Sequence, residues 1–449
     1  MKAIVANALK NQMLKKFAGE AGLILMLRVF AAGMNYVGVI CLARWLSLSD
    51  FGIYGSIMSA VGFGAVAVQF GSTLTAIRYL GEYQVHQEQG KAHGIIRYSE
   101  RGVLLIALVT STVLGGACAT TAWLGYFPTG YVWLLGLAVL PAFALTDVQS
   151  AVMRSFDQIL PALLPKDVIW RSCIPLFAFM LFVYCPAHLR LPILLVLSAL
   201  SLSVFALWQH WHLHSTLPGA IKSATPDYDQ KSWWSTSIPI WLLLMSRISF
   251  RTLDVVIVAL LLNPAAAGIY FAASRTSELL GFVLSSLNLI VGPNISKLYA
   301  ADKKAELTQY LAVSSVVIFT PALVMFAACA LFPELILSIF GSQFEDGKWV
   351  LIVMAFGQLF NAATGSVGVM LNMTGHEKIN ARIMITTAPF TAAAMFLFAW
   401  QFGMIGAAIA AAGGIVTWNV LLWRAARKHT EYDPSIWGTI VFAKRGFKS

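Results

Sequence analysis

The chain has 449 residues, of which 58% are hydrophobic and only 11% charged, and its mean hydropathy is +0.74. Soluble domains carry about 25% charged residues, so this composition excludes a soluble globular protein and indicates a polytopic membrane protein. The net charge of +11 would suit a nucleic-acid binder, but most Lys and Arg residues lie in short connections between apolar runs, which is a topology signal instead.

A helix needs about 20 apolar residues to cross the hydrocarbon. The basic start (Lys2, Lys10, Lys15, Lys16) leads into a run of that length, so no cleavable signal peptide is expected. Runs at roughly 21–46, 51–76, 102–125, 131–154, 168–186, 191–211, 234–262, 266–292, 308–333, 349–372, 380–401 and 403–424 predict twelve spans. Alternate connections then fall on opposite sides. One side, with both ends of the chain and segments 77–101, 154–171, 212–232, 293–307 and 373–382, holds 24 of the 31 Lys and Arg. The other holds Arg44, Arg190 and Lys348. By the positive-inside rule both termini are expected to be cytoplasmic. Cys41, Cys118, Cys173, Cys185 and Cys329 sit in or at the ends of apolar runs and form no CxxC pair, so they read as small core residues.

The sequence also repeats itself. Leu42–Tyr54 reads LARWLSLSDFGIY and Val258–Tyr270 reads VALLLNPAAAGIY: an apolar run, a polar break, then Gly-Ile-Tyr. Each copy leads on to a basic stretch, Arg78-Tyr79-Leu80 and Lys297-Leu298-Tyr299, and the copies are spaced by close to half the chain. An even number of spans per copy gives both copies the same orientation, related by an axis along the membrane normal. The expected architecture is an all-α polytopic membrane protein of twelve transmembrane helices in two six-helix bundles, residues 1–214 and 233–449, joined by a polar cytoplasmic linker at 215–232. Bundles related in this way enclose a central cleft, where transporters place their substrate.

These motifs, together with Asp254–Tyr270 (DVVIVALLLNPAAAGIY), Gly357–Lys378 (GQLFNAATGSVGVMLNMTGHEK) and Phe402–Ala410 (FGMIGAAIA), resemble the polysaccharide or O-antigen flippases of the multidrug/oligosaccharidyl-lipid/polysaccharide exporter superfamily. The resemblance runs over nearly the whole chain. It implies two six-helix bundles forming a V, as in MATE-like transporters, and export of lipid-linked oligosaccharide units across the bacterial inner membrane.

Arg28, Arg247, Arg251 and Arg275 fall inside predicted spans. An arginine at bilayer depth costs about 2.5–3.5 kcal/mol on insertion scales, so such residues face a pocket, a wet path or an ion pair. Arg247, Arg251 and Asp254 share one helical face at i, i+4 and i+7. Counting outward from the turn at 263–265 puts Asp254 level with Arg275 and Arg251 level with Glu278, which predicts two cross-helix ion pairs. Arg247 then lacks an acidic partner and is the first candidate for gripping an anionic head group, since its planar fork bonds phosphate bidentately. Arg251 and Arg275 are further candidate substrate contacts. Two readings stand for Arg28: a cleft residue in the span that matches the seventh, or a side chain snorkelling to the interface.

Asp147 has no nearby base in sequence and reads either as a neutral hydrogen-bonded residue or as a proton-coupling site, as do Asp254 and Glu278 if they are not merely paired. The amides Asn35, Asn288, Gln358, Asn361 and Asn419 read as interhelical hydrogen bonders before sugar contacts. His210 and His214 in HWHLH have metal-ligand spacing, but without an evident carboxylate or cysteine they read as a solvated interfacial cluster. No metal, cofactor or nucleotide motif is expected.

The leading functional reading is therefore a non-enzymatic flippase for a polyprenyl-diphosphate-linked oligosaccharide. Its expected partners are that lipid, the bilayer and polysaccharide polymerase machinery, with no role for nucleic acid. A cation-coupled drug exporter of the same superfamily is the alternative, although an acid-dominated cleft would suit it better. A membrane polymerase or ligase ranks lower, because the longest outer connection, around 332–348, is short and carries only Glu334, Glu345, Asp346 and Lys348.

Overall fold

The computed structural model describes residues 29–126 and 129–446, together with Met26. Among these residues every regular element is helical. The first half runs through α1 (Val29–Trp45), α2 (Leu48–Gln69), α3 (Ser72–His86), α4 (Gln89–Trp123), α5 (Gly130–Leu137) and α6 (Leu140–Arg154). It continues with α7 (Ile159–Leu163), a π-helical stretch (Leu164–Trp170), α8 (Arg171–Tyr184), α9 (Ala187–Thr216) and the short α10 (Gly219–Ser223). The second half contains α11 (Gln230–Leu261), α12 (Pro264–Ala300), α13 (Lys304–Leu331), α14 (Pro333–Ser338), α15 (Lys348–Thr364), α16 (Val367–Met373), α17 (Glu377–Thr430) and α18 (Ile436–Gly446).

Nine helical stretches among the described residues are long and apolar enough to cross a membrane. The sequence expectation of twelve is reached only by counting three further pieces. One is α1, a shorter apolar helix. Another is α11, whose apolar run is interrupted by Arg247, Arg251 and Asp254. The last comes from α17, whose 54 residues hold two predicted spans divided at Gly403, where φ is +63°. A residue with a Cβ would resist that backbone conformation.

The repeated motif explains how the halves meet. Its polar break is a helix N-cap in both copies: Ser47 Oγ accepts from Asp50 N at 3.1 Å, and Asn263 Oδ1 accepts from Ala266 N at 2.8 Å, with Pro264 in the first turn. Equivalent residues lie 216 positions apart: Ser47 and Asn263, Gly52 and Gly268, Tyr54 and Tyr270. Gly52 on α2 packs against Gly268 on α12, its own counterpart. A Cβ added to Gly52 would sit 1.7 Å from Pro264 O and 2.7 Å from Gly268 N, and one on Gly268 would sit 2.7 Å from Leu48 O. A position that touches its own equivalent lies on the axis relating the two copies.

Around this crossing Phe51 packs on Phe271 and Phe344 (centroids 5.5 Å in each case), and Tyr36 meets Phe340 at 5.9 Å. Tyr36 Oη and Thr276 Oγ1 share a hydrogen bond of 3.2 Å, and Arg44 Nε donates to Ile339 O at 2.7 Å. The end of the molecule bearing these two turns is thus sealed between α1–α2 and α12. Toward the opposite, basic end, α11 stays against α2 and α3: Trp241 Nε1 donates to Ala67 O at 3.0 Å, Ser237 Oγ to Thr75 Oγ1 at 2.9 Å, and Trp233 Nε1 to Tyr83 Oη at 2.9 Å. The predicted linker is not a free tether. Asp227 N donates to Gly90 O at 2.9 Å, His93 Nδ1 lies 2.7 Å from Ala224 O, and Ile221 is buried against the surface of α4.

Candidate functional site

The charged residues of α11 and α12 gather at the inner limit of the sealed end. At about 1.5 Å per residue from the turn at 263–265, Arg275 lies about 15 Å in, Arg251 and Glu278 about 18–20 Å in, and Arg247 about 24 Å in. Arg275 Nη1 donates to both Glu278 carboxylate oxygens, at 3.0 and 2.9 Å, and its guanidinium lies 4.9 Å from the centre of the Phe271 ring. Arg251 Nη2 approaches the same carboxylate at 3.6 Å, so the predicted Arg251–Glu278 pair is present. Two guanidinium groups share one carboxylate, and the Arg251 side chain remains 66% exposed.

Arg247 is exposed and has no ion pair or hydrogen bond among the described residues. Its nearest charged neighbour along the helix face is Arg251, so the cluster carries an uncompensated positive charge. A group of this kind, about 15–24 Å along the helices from that turn, can bind a multivalent anion and repels a cation.

Asp254 does not pair with Arg275. It is 1% exposed and accepts hydrogen bonds from Val255 N at 2.8 Å and Tyr270 Oη at 3.2 Å. Depth counting placed the two residues level, but level is not facing: Asp254 turns into the α11–α12 seam, while Arg275 finds a carboxylate one turn along its own helix. Tyr270, the last residue of the repeated motif, is the partner that sequence reading missed.

Asp147 is not a lone acid either. It pairs with Lys166 Nζ, and Gln69 Nε2 donates to its other oxygen at 3.0 Å. Lys166 enters the bundle on the π-helical stretch, where its ammonium also lies 3.4 Å from the centre of the Phe143 ring. The pairing makes a structural claim that can be checked. Removing one partner of a buried pair costs about 3–5 kcal/mol, and less here because Asp147 remains 34% exposed. Lys166→Met is therefore expected to lower the unfolding temperature, and Asp147→Asn in the same chain to restore most of the loss. Additive losses in that double-mutant cycle would show that the two side chains are uncoupled.

The histidine cluster also needs correction, because Glu100 of α4 lies between His210 and His214. Two of the amides serve packing: Ser366 Oγ donates to Asn288 Oδ1 at 2.6 Å and Thr364 Oγ1 to Asn419 Oδ1 at 3.1 Å. Arg28 lies outside the described residues.

Comparison with known proteins bears on the fold. The family described as polysaccharide biosynthesis protein matches residues 180–348, a stretch that contains Arg247, Arg251, Arg275 and Glu278. No curated protein sequence matches the chain. Among solved structures, lipid II flippase MurJ in an inward closed conformation is similar with a TM-score of 0.68 at 13% identity, covering 90% of this chain and 87% of that one. A multidrug resistance MATE family transporter of the MOP superfamily, in an inward-facing conformation, gives 0.67 at 12% identity, covering 90% and 97%. The eukaryotic MATE transporter AtDTX14 gives 0.60 at 17% identity, covering 93% and 98%.

The chain therefore shares the fold of that MATE family transporter and of lipid II flippase MurJ. The resemblance read from the repeated motifs is borne out, as is the expectation of an all-α polytopic membrane protein. In this fold the cationic cluster belongs to α11 and α12, the helices that flank the second copy of the repeated turn.

Proposed function

We propose that this protein is a flippase that carries a polyprenyl-diphosphate-linked oligosaccharide from the cytoplasmic to the periplasmic face of a bacterial inner membrane by alternating access. Residues 1–214 and 233–449 are the two moving bodies, 215–232 the cytoplasmic connection, and both termini cytoplasmic. The observation that carries this reading is the uncompensated cationic cluster of Arg247, Arg251 and Arg275 around Glu278 at the inner edge of the sealed end. In this reading the diphosphate binds there and the glycan lies on the side toward the basic end. The lipid tail leaves sideways between α1 and α12, where Val29 and Phe30 on one helix and Leu289 and Ile290 on the other are exposed and apolar.

Direction follows from electrostatics. A head group with about two negative charges moving outward across an inside-negative membrane gains about 4.6 kcal/mol per 100 mV. No bond is made or broken in such a cycle, so the protein acts as a transporter without catalytic residues. A cation-exporting function is the competing reading, since the fold is shared with multidrug transporters.

The test is transport by the purified protein in sealed vesicles, with a fluorescent polyprenyl-diphosphate oligosaccharide and, separately, a lipophilic cationic dye. Movement of the anionic lipid that accelerates with potential, without movement of the dye, is expected. Movement of the dye alone would overturn the proposal.

A further inference from the structure

Glu100 presents an unsolved charge problem. It is 5% exposed on the apolar helix α4, and neither a lysine nor an arginine pairs with it among the described residues. Its partners are imidazoles. Oε1 lies 3.1 Å from His210 Nδ1, and Oε2 lies 2.8 Å from His214 Nε2. The two histidines stand four residues apart on α9 and so share a face, with ring centroids 4.4 Å apart. From a third helix, α6, the wholly buried Gln149 donates Nε2 to Glu100 Oε1 at 3.2 Å.

We infer that Glu100, His210 and His214 form a zinc-binding site that ties α4 to α9 at the basic end of the first half. The three ligand atoms lie within 4.8 Å of one another. Ligands around a tetrahedral zinc, each about 2.0–2.2 Å from the ion, stand about 3.3 Å apart, so only a small outward turn of the rings is needed to admit it. Two neutral imidazoles and one carboxylate suit a borderline divalent ion. Magnesium and calcium require six or more oxygen ligands and do not fit. Gln149 holds the carboxylate from within the protein, as outer partners do in metal sites. The His210 side chain is 53% exposed, which leaves the fourth position open to water.

His212 lies between the two ligands in sequence but faces elsewhere, its ring stacked on Trp208 at 5.2 Å. It is therefore an internal control. The competing reading is that protonated imidazoles alone neutralise Glu100, in which case no metal is retained.

The experiment uses the full chain in detergent, free of any affinity tag, stripped with chelator and titrated with cobalt(II) and then zinc. Wild type and His212→Ala are expected to bind about one ion per chain, with the visible absorption of tetrahedral cobalt displaced by zinc. Zinc should also raise their unfolding temperature. Glu100→Gln, His214→Ala and His210→Ala should each bind at least tenfold more weakly. The exposed His210 ring makes that variant readable even if the buried changes prevent folding. The inference is overturned if wild type binds no stoichiometric cobalt or zinc, or if binding in His210→Ala equals that in wild type.

Discussion

Gly52→Ala is expected to lose most transport activity and to unfold at a clearly lower temperature than wild type, whereas Gly62→Ala on the same helix leaves both nearly unchanged. The added methyl carbon at Gly52 would stand 1.7 Å from Pro264 O, and that atom belongs to backbone. No side chain can rotate away to relieve the overlap, so α2 and α12 must separate. Overpacking of this kind costs about 1–3 kcal/mol, at times more. At Gly62 nothing lies within 4 Å of the same added carbon, and alanine should even favour the helix slightly. Thermal unfolding and vesicle transport of the two variants, side by side, check the claim. Equal behaviour would mean that the Gly52–Gly268 contact does not seal this end. Gly268→Ala should act in the same direction but less strongly, because its added carbon would stand 2.7 Å from Leu48 O.

The second large effect concerns Arg247. Arg247→Ala should bind and move the anionic lipid roughly ten- to hundredfold less well, the equivalent of about 1.5–3 kcal/mol for a charge-assisted hydrogen bond. Stability should hold, since the side chain is exposed and has no ion pair among the described residues. Arg247→Lys separates charge from shape. It keeps the cation but loses the planar fork that grips two phosphate oxygens, so partial recovery is expected. Initial transport rates, normalised to folded protein in the vesicles, measure both variants. A fall in stability that parallels the fall in rate would mark Arg247 as a structural residue instead.

Much of this arrangement is legible in the sequence because it follows from composition and spacing. The Gly-Ile-Tyr repeat identifies the two equivalent turns, and the structure shows why its residues recur: Ser47 and Asn263 cap helices, while Gly52 and Gly268 let two backbones touch. The charged stripe on α11 was likewise readable, and with it the Arg251–Glu278 pair.

The misses have a common physical cause. Distance along a helix fixes depth but not the direction in which a side chain turns, so depth alone pairs Asp254 with Arg275, whereas its hydrogen-bond partner is Tyr270. Lys166 falls in a basic connection by sequence, because nothing in the letters announces a π-helical stretch that draws it inward to Asp147. Glu100 sits just ahead of its apolar run, inside the connection 77–101, so the sequence does not announce the carboxylate that His210 and His214 share.

Equilibrium binding of a polyprenyl diphosphate to the purified protein, set beside the corresponding neutral polyprenol, tests the anion cleft most directly. Strong preference for the diphosphate in wild type, lost by at least tenfold in Arg247→Ala and partly kept in Arg247→Lys, is the predicted result. Equal affinity for the charged and neutral lipids, or undiminished diphosphate binding by Arg247→Ala, would contradict it.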